Sequence, residues 1–287
     1  MYEAFYGLRE RPFHVTPDAR FFFPSAKHRE ALDSLYYAIT QRLGFVVITG
    51  EIGAGKTTVC RTLLKRLPAT THVAMITHPV MTPRHVAATL LEEFELPVGD
   101  REPRFRMLAR LNDFLIEALS RDENVVLVID EAQNLTPSVL EEVRLLSNLE
   151  TEQAKLIQIV LLGQPELRQK LDLKQLVQFK QRIAVAFHLE PLDPAETRSY
   201  ILHRLQKAGG KDSIFTPEAM EQIYFYSRGI PRLINLACER ALLTAYAEQV
   251  QPIDARLIEQ VVSELLPHHA GWRPQETIST VGVAMAT

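Results

Sequence analysis

Gly50, Gly55, Lys56 and Thr57 stand at the spacing G-x-x-x-x-G-K-T, directly behind the apolar run Phe45-Val46-Val47-Ile48 and ahead of an apolar helical stretch. Such a loop suits one kind of chemistry. Its glycines let successive backbone N–H groups turn inward on phosphate oxygens, and the helix that follows adds the positive end of its dipole. Gly50, Glu51, Ile52, Gly53, Ala54, Gly55, Lys56, Thr57 and Thr58 would then cradle the phosphates. Lys56 would reach the β- and γ-phosphates, and the Thr57 hydroxyl would ligate Mg²⁺. A second pair, Asp130 and Glu131, ends the apolar run Val125–Ile129. Two adjacent carboxylates at the tip of a buried strand are costly unless something there uses them. Beside a phosphate loop, Asp130 is expected in the Mg²⁺ shell and Glu131 at the attacking water, as general base.

These residues need strands that run parallel and end along one edge. The runs 45–48 and 125–129 are continuously apolar, and 156–162 is so but for Gln158, as in strands buried on both faces; 71–78 reads as a short strand and 185–189 is a weaker candidate. Helical periodicity fills the gaps at 57–67, 83–95 and 103–120. Several helices should open on a cap followed by proline: Thr82-Pro83, Thr136-Pro137, Asp193-Pro194 and Thr216-Pro217, with Glu196 completing a capping box at Asp193. The alternation predicts an α/β doubly wound parallel sheet with ligands outside the carboxyl ends of its strands. From about Leu192 the pattern changes to helices at 194–208, 217–227, 231–248 and 254–265 with no strand between them. The expected organisation is an N-terminal aromatic segment and helix (1–43) packed on the core, an α/β core (44–191), a small all-helical lid (192–266) and a disordered tail (267–287). The phenylalanines of the lead-in either line an adenine pocket or staple the segment to the core.

Bulk composition narrows the classes. The chain has 287 residues, 46% hydrophobic and 23% charged, with a net charge of −3, which excludes a globally basic nucleic-acid binder. Cys60 and Cys238 lie far apart without metal-ligand spacing, as small buried hydrophobes in a reducing compartment would. No His pair has metal-ligand spacing. Nothing approaches the ~20 uninterrupted apolar residues of a membrane span, so a cytoplasmic protein without direct membrane insertion is expected.

The ordered set of motifs carries a resemblance. Gly50–Thr57 looks like Walker A, Val125–Glu131 looks like Walker B in its Asp-Glu form, and Gly229-Ile230-Pro231-Arg232 resembles the sensor-2 signature at a helix start. Together they are similar to the AAA+ P-loop NTPases over about residues 25–265. The resemblance implies ATP as substrate, Mg²⁺ as cofactor and hydrolysis to ADP and phosphate. It places Gln164 at the sensor-1 position, Arg232 at the γ-phosphate from the lid, and Arg182 as an arginine finger supplied in trans. The active site would then lie between subunits of a homo-oligomer, a ring or filament. His28-Arg29-Glu30-Ala31-Leu32 resembles the adenine-contacting segment of the initiator-like branch, and Thr77 or His78 could restrain Glu131.

A closer resemblance is to the ExeA-like family, bacterial ATPases related to general secretion pathway protein A. It rests on the opening stretch 1–13, on Thr16-Pro17-Asp18-Ala19-Arg20-Phe21-Phe22, on Asp130-Glu131-Ala132-Gln133-Asn134-Leu135 and on Leu162-Gly163-Gln164-Pro165-Glu166-Leu167. It implies an ATPase that drives assembly or remodelling of a secretion, pilus or polysaccharide-export machine. A membrane-machine partner protein would hold it at the inner membrane. A second, less favoured reading follows from similarity to transposition ATPases of the TniB and TnsC kind, which form filaments on DNA. Its motive is two basic clusters: Arg101, Arg104, Arg106 and Arg110; and Arg168, Lys170, Lys174, Lys180 and Arg182.

Overall fold

Successive residues of the central strands point to opposite faces of a sheet, and both directions are buried. The computed structural model describes residues 1–14, 18–79, 81–99, 102–151 and 154–265. Five strands, β1 (Phe45–Gly50), β2 (His72–Ile76), β3 (Val125–Ile129), β4 (Gln158–Gly163) and β5 (Ile183–Leu189), form one sheet in the order β2-β3-β4-β1-β5. Every pairing is parallel, and β1 registers Val46 against Val160 of β4 and Ala186's neighbour Val185 of β5. Phe45, Val47, Leu127, Ile129, Ile159 and Leu161 enter a core on one face. Their alternates Val46, Ile48, Val126, Val128, Val160 and Leu162 enter another core on the opposite face. The sequence therefore reads as unbroken apolar runs because helices cover both sides.

The helices in chain order begin with α1 (Tyr2–Tyr6), α2 (Ala26–Thr40), α3 (Lys56–Leu64), α4 (Val86–Glu93) and α5 (Arg104–Ser120). They continue with α6 (Pro137–Leu146), α7 (Pro165–Leu171) and α8 (Val177–Lys180), and then α9 (Pro194–Lys207), α10 (Pro217–Ser227), α11 (Pro231–Glu248) and α12 (Ala255–Leu265). The α2 and α3 helices cover one sheet face; α4 to α8 cover the other. Four helix starts follow the local chemistry. Ser25, Thr136 and Thr216 each accept from a backbone N–H three residues on, and Asp193 and Glu196 close a reciprocal capping box before α9. Thr82-Pro83 departs from that rule. It forms a turn, with the His85 N–H donating to the Thr82 carbonyl at 2.9 Å, and α4 starts only at Val86.

The aromatic lead-in also differs from expectation. It divides instead of packing as one piece on the α/β core. Tyr2, Tyr6, Leu8, Phe13 and Phe21 join the core of α9 to α12, whereas Leu32, Leu35 and Ile39 of α2 pack under the sheet. Polar contacts reinforce the split: Tyr2 donates its hydroxyl proton to Glu239 at 2.7 Å, and the Arg9 N–H donates to the Ala208 carbonyl at 2.7 Å. Cys60 and Cys238 are both buried and unpaired. Among the described residues no helix is long and apolar enough to cross a membrane. The tail expected at 267–287, together with Thr16, Pro17 and Arg101, lies outside the described residues.

Candidate active site

Adjacent strands β1, β4 and β3 end together, so their carboxyl-end residues share one cleft. Behind β1 the chain turns through Gly53 (φ +83°) and Gly55 (φ +101°), conformations that favour glycine, and enters α3 at Lys56. Gly50 has a different reason to be glycine: a Cβ there would fall 2.6 Å from the Leu189 carbonyl of β5. Lys56 is almost fully buried, and its Nζ donates to the Gly50 and Glu51 carbonyls at 2.8 and 2.9 Å. Burial pushes the Lys56 pKa below its ordinary value, while the Glu131 and Asp130 carboxylates pull it back up.

The two residues expected at the metal meet directly. Thr57 donates its hydroxyl proton to Asp130 Oδ2 at 2.7 Å, and Asp130 Oδ1 accepts the Glu131 N–H at 2.9 Å. Asp130 is only 6% exposed. A buried carboxylate beside a hydroxyl at the mouth of a phosphate loop is a donor set that fits Mg²⁺, whose oxygen ligands come from such sites with phosphates completing the shell. Glu131 itself sits at φ 52°, ψ 37°, a left-handed conformation uncommon for a residue with a side chain. Its carboxylate faces the same cleft. Oε2 accepts from Gln133 Nε2 at 2.5 Å and from Gln164 Nε2 at 3.3 Å. Thr77 and His78, considered from the sequence as its restraint, bond to each other at 3.1 Å, and the contacts of the Glu131 carboxylate described here are with glutamine amides.

The cleft is a cavity of about 400 Å³ that runs from Glu131 and Gln164 along residues 52–58 to an aromatic end. Phe22, Phe23, His28, Tyr200 and Arg204 line that end. The lead-in phenylalanines staple the segment and line the cavity at once: Phe21 is buried in the helical core, and Phe21, Phe22 and Phe23 all stand at the cavity wall. His28 ties the segment to the loop. Its Nδ1 lies 2.7 Å from the Ser25 hydroxyl, and its ring stands edge-on to Phe22. Burial holds the His28 pKa below the usual histidine value, against the opposing influence of Glu196 and a hydrogen bond with the Ala54 backbone.

From the other side, α11 brings Arg232 against the loop. The Arg232 N–H donates to the Gly53 carbonyl at 3.3 Å, and a Cβ at Gly53 would fall 2.5 Å from the Arg232 Cβ. Close approach of loop and helix therefore requires glycine at 53. Of the residues expected from the sequence, the cavity lining unites Ile52 to Thr58, Glu131, Gln164 and Arg232; Gly50, Glu51 and Asp130 stand behind it through Lys56 and Thr57. Arg182 is not brought in. Its Nη1 donates to the Ser147 hydroxyl at 2.5 Å, at the far end of α6. Sequence reasoning missed Gln133 as a site residue, and Tyr200 and Arg204 of α9 and Asn235 of α11 at the cavity. Gln133 adjoins Asp130-Glu131 in the chain, which was a usable signal; the other three reach the cavity only by packing.

Comparisons with known proteins bear on the family and the fold. Residues 39–171 match the AAA domain family. General secretion pathway protein A of Aeromonas hydrophila is 46% identical over 248 residues, covering 86% of this chain and 45% of that protein. An uncharacterised HTH-type transcriptional regulator of Methanocaldococcus jannaschii is 27% identical over 168 residues, covering 57% of this chain and 40% of that protein. The chain thus spans less than half the length of these curated relatives. Among solved structures, Cdc6p of Pyrobaculum aerophilum superposes with a TM-score of 0.65 at 20% identity, covering 86% of this chain and 71% of that one. The Aeropyrum pernix ORC2 protein in ADPNP–ADP complexes gives 0.64 at 17% identity, covering 87% and 72%. The Thermotoga maritima RuvB Holliday junction branch migration motor gives 0.56 at 19%, covering 83% and 68%. At those identities the likeness is one of fold.

Proposed function

Because the chain belongs with the AAA+ P-loop ATPases related to general secretion pathway protein A, we propose that it hydrolyses ATP to ADP and phosphate to drive assembly or remodelling of a secretion, pilus or polysaccharide-export machine. The observation that carries the reading is the contact of Thr57 with Asp130 at 2.7 Å, with Glu131 beside it in the cavity. Mg²⁺, held by the Thr57 hydroxyl and the Asp130 carboxylate, would offset phosphate charge there. The residues of the chain do the rest. Lys56 exchanges its two loop carbonyls for β- and γ-phosphate oxygens. Glu131 orients the attacking water and takes its proton as the terminal phosphate separates from ADP. Gln164 contacts the terminal phosphate or the water from the β4 side, and Arg232 neutralises developing charge from α11. The aromatic end, with Phe22, Phe23 and His28, takes the adenine.

Arg182 lies outside this cavity, and its role is to complete the site of a neighbouring copy as a trans arginine finger. The protein accordingly works as a homo-oligomer, a ring or a filament, and reaches the membrane through a partner protein. The basic clusters give a reading centred on DNA less support, since several of their side chains are engaged within the chain. Lys180 pairs with Asp172, Lys170 donates to the carbonyls of Gln133 and Leu135, Arg104 pairs with Glu142 and Arg110 with Glu102.

The test is a mixing experiment. Glu131→Gln and Arg182→Ala should each bind ATP normally, and each alone should turn over slower by about two orders of magnitude or more. Mixed, they should recover part of the activity, because one pocket in the assembly then has both an intact base and an intact finger. Turnover of Glu131→Gln equal to wild type would refute the base; absence of recovery on mixing, with turnover per molecule independent of dilution, would refute the shared site.

A further inference from the structure

We infer that Gln133 is the positioning residue of this site: its side-chain amide brackets the Glu131 carboxylate to the turn that carries Gln164. The inference rests on Glu131 being the base. Three hydrogen bonds close a triangle. Gln133 Nε2 donates to Glu131 Oε2 at 2.5 Å, Gln133 Oε1 accepts the Gln164 backbone N–H at 3.1 Å, and Gln164 Nε2 donates to the same Oε2 at 3.3 Å. The opposite amide orientation would set Oε1 against the carboxylate and Nε2 against an N–H, so the network admits only this one.

The backbone makes the triangle reachable. Glu131 in the left-handed region opens a single turn, 132–134, closed by the Asn134 N–H on the Glu131 carbonyl at 2.9 Å. That turn sends the Gln133 side chain back to the end of β4. The Lys170 ammonium, from α7, donates to the Gln133 and Leu135 carbonyls and holds the turn in place. Gly163, just before Gln164, leaves room for the amide: a Cβ there would fall 3.1 Å from Gln133 Oε1 and 2.6 Å from Leu167 Cδ2.

The chemistry of the position is specific. One side must donate, to a carboxylate, and the other must accept, from an N–H; a primary amide does both, glutamate only accepts, and leucine does neither. The bracket therefore gives the base a fixed orientation and couples it to the residue that contacts the terminal phosphate. A shift in the turn after β4 is passed to Glu131 through Gln133.

Two variants and four measurements test this: steady-state turnover, affinity for a fluorescent ATP analogue, melting temperature, and hydrogen exchange at the Gln164 amide in nucleotide-free protein. Gln133→Leu should lose exchange protection at Gln164 and drop kcat about 10- to 100-fold, with KM and analogue affinity within about twofold. Gln133→Glu keeps the acceptor and so should keep Gln164 protected, yet it sets like charges together and should drop kcat at least as far. Retained Gln164 protection in Gln133→Leu, or unchanged kcat in either variant, would overturn the bracket. So would parallel loss of protection, analogue affinity and melting temperature in both variants, which marks general packing. Exchange at Gln164 is read without nucleotide, so it reports on the bracket even if Glu131→Gln turned over normally and the base assignment fell.

Discussion

The phosphate end of the cavity and its aromatic end are built by different means. At the phosphate end, Gly50 to Thr58 are consecutive, and the pair Asp130-Glu131 and the single Gln164 follow on buried strands whose positions the sheet fixes. At the aromatic end, Phe22 and Phe23 come from the lead-in, Tyr200 and Arg204 from α9, and Asn235 from α11. Arg204 shows how that end is held. It is 5% exposed, donates from Nε to the Pro12 carbonyl at 2.5 Å and from Nη1 to the Tyr200 hydroxyl at 2.8 Å, and lies over the Phe21 ring at 5.0 Å. A buried guanidinium among three aromatic rings and a carbonyl joins segments nearly two hundred residues apart. One end is thus set by local chain geometry, the other by long-range packing, and perturbations should separate them.

The largest expected effect is on the phosphate end alone. Lys56→Ala removes charge-assisted hydrogen bonds to phosphate worth about 3 kcal/mol in total, so ATP affinity should fall about 100-fold in a titration. The melting temperature should change little, because losing a desolvated ammonium offsets freeing the Gly50 and Glu51 carbonyls. Arg204→Met should do the reverse. It strands the Pro12 carbonyl and loosens the lead-in, costing about 1–3 kcal/mol in a denaturant melt and exposing residues 1–23 to protease, with a smaller effect on affinity. If both variants lowered affinity and stability together, the two ends would be one unit and the contrast would fail.

Gly53→Ala probes the seam where the ends touch. The φ of +83° and the crowding by Arg232 together cost about 1–2 kcal/mol, felt as roughly a tenfold loss of ATP affinity as the loop and α11 separate. Unchanged affinity would mean that the contact seen here does not persist when nucleotide binds. The smallest effect is on pH dependence. Folding lowers the His28 pKa, so near its ordinary value of 6.5 the folded chain holds fewer protons than the unfolded one. Stability from this group is complete above that pH and is lost as pH falls through the depressed value. The slope cannot exceed about 1.4 kcal/mol per pH unit for one proton, and His28→Gln should flatten the melting-temperature profile below neutrality.

Legibility in the sequence follows the same division. The glycine-lysine-threonine loop and the Asp-Glu strand end could be read because their chemistry is written in adjacent residues, and the unbroken apolar runs announced a sheet covered on both sides. Arg232 was readable through the proline-arginine helix start. Gln133 was hidden because an uncharged amide has no distinctive pattern, and its role appears only when β4 lies beside β3. Arg204 was hidden because an arginine in Leu202-His203-Arg204-Leu205 reads as an ordinary amphipathic helix position; only the returning lead-in buries it. Thr82-Pro83 misled for a simpler reason: a cap-like pair also makes a good turn, and here the turn closes before α4 begins.

The division of the lead-in has a practical outcome for anyone wishing to watch the molecule work. Met1 is 92% exposed at the start of a segment that belongs to the helical cluster, while α2, only a few residues beyond that segment, is anchored under the sheet. A dye attached at the amino terminus would travel with the last four helices, and a second dye on the outer surface of α2 would stay with the nucleotide loop. The pair would act as a ruler spanning the cleft, reporting any change in its width without a probe in the pocket itself.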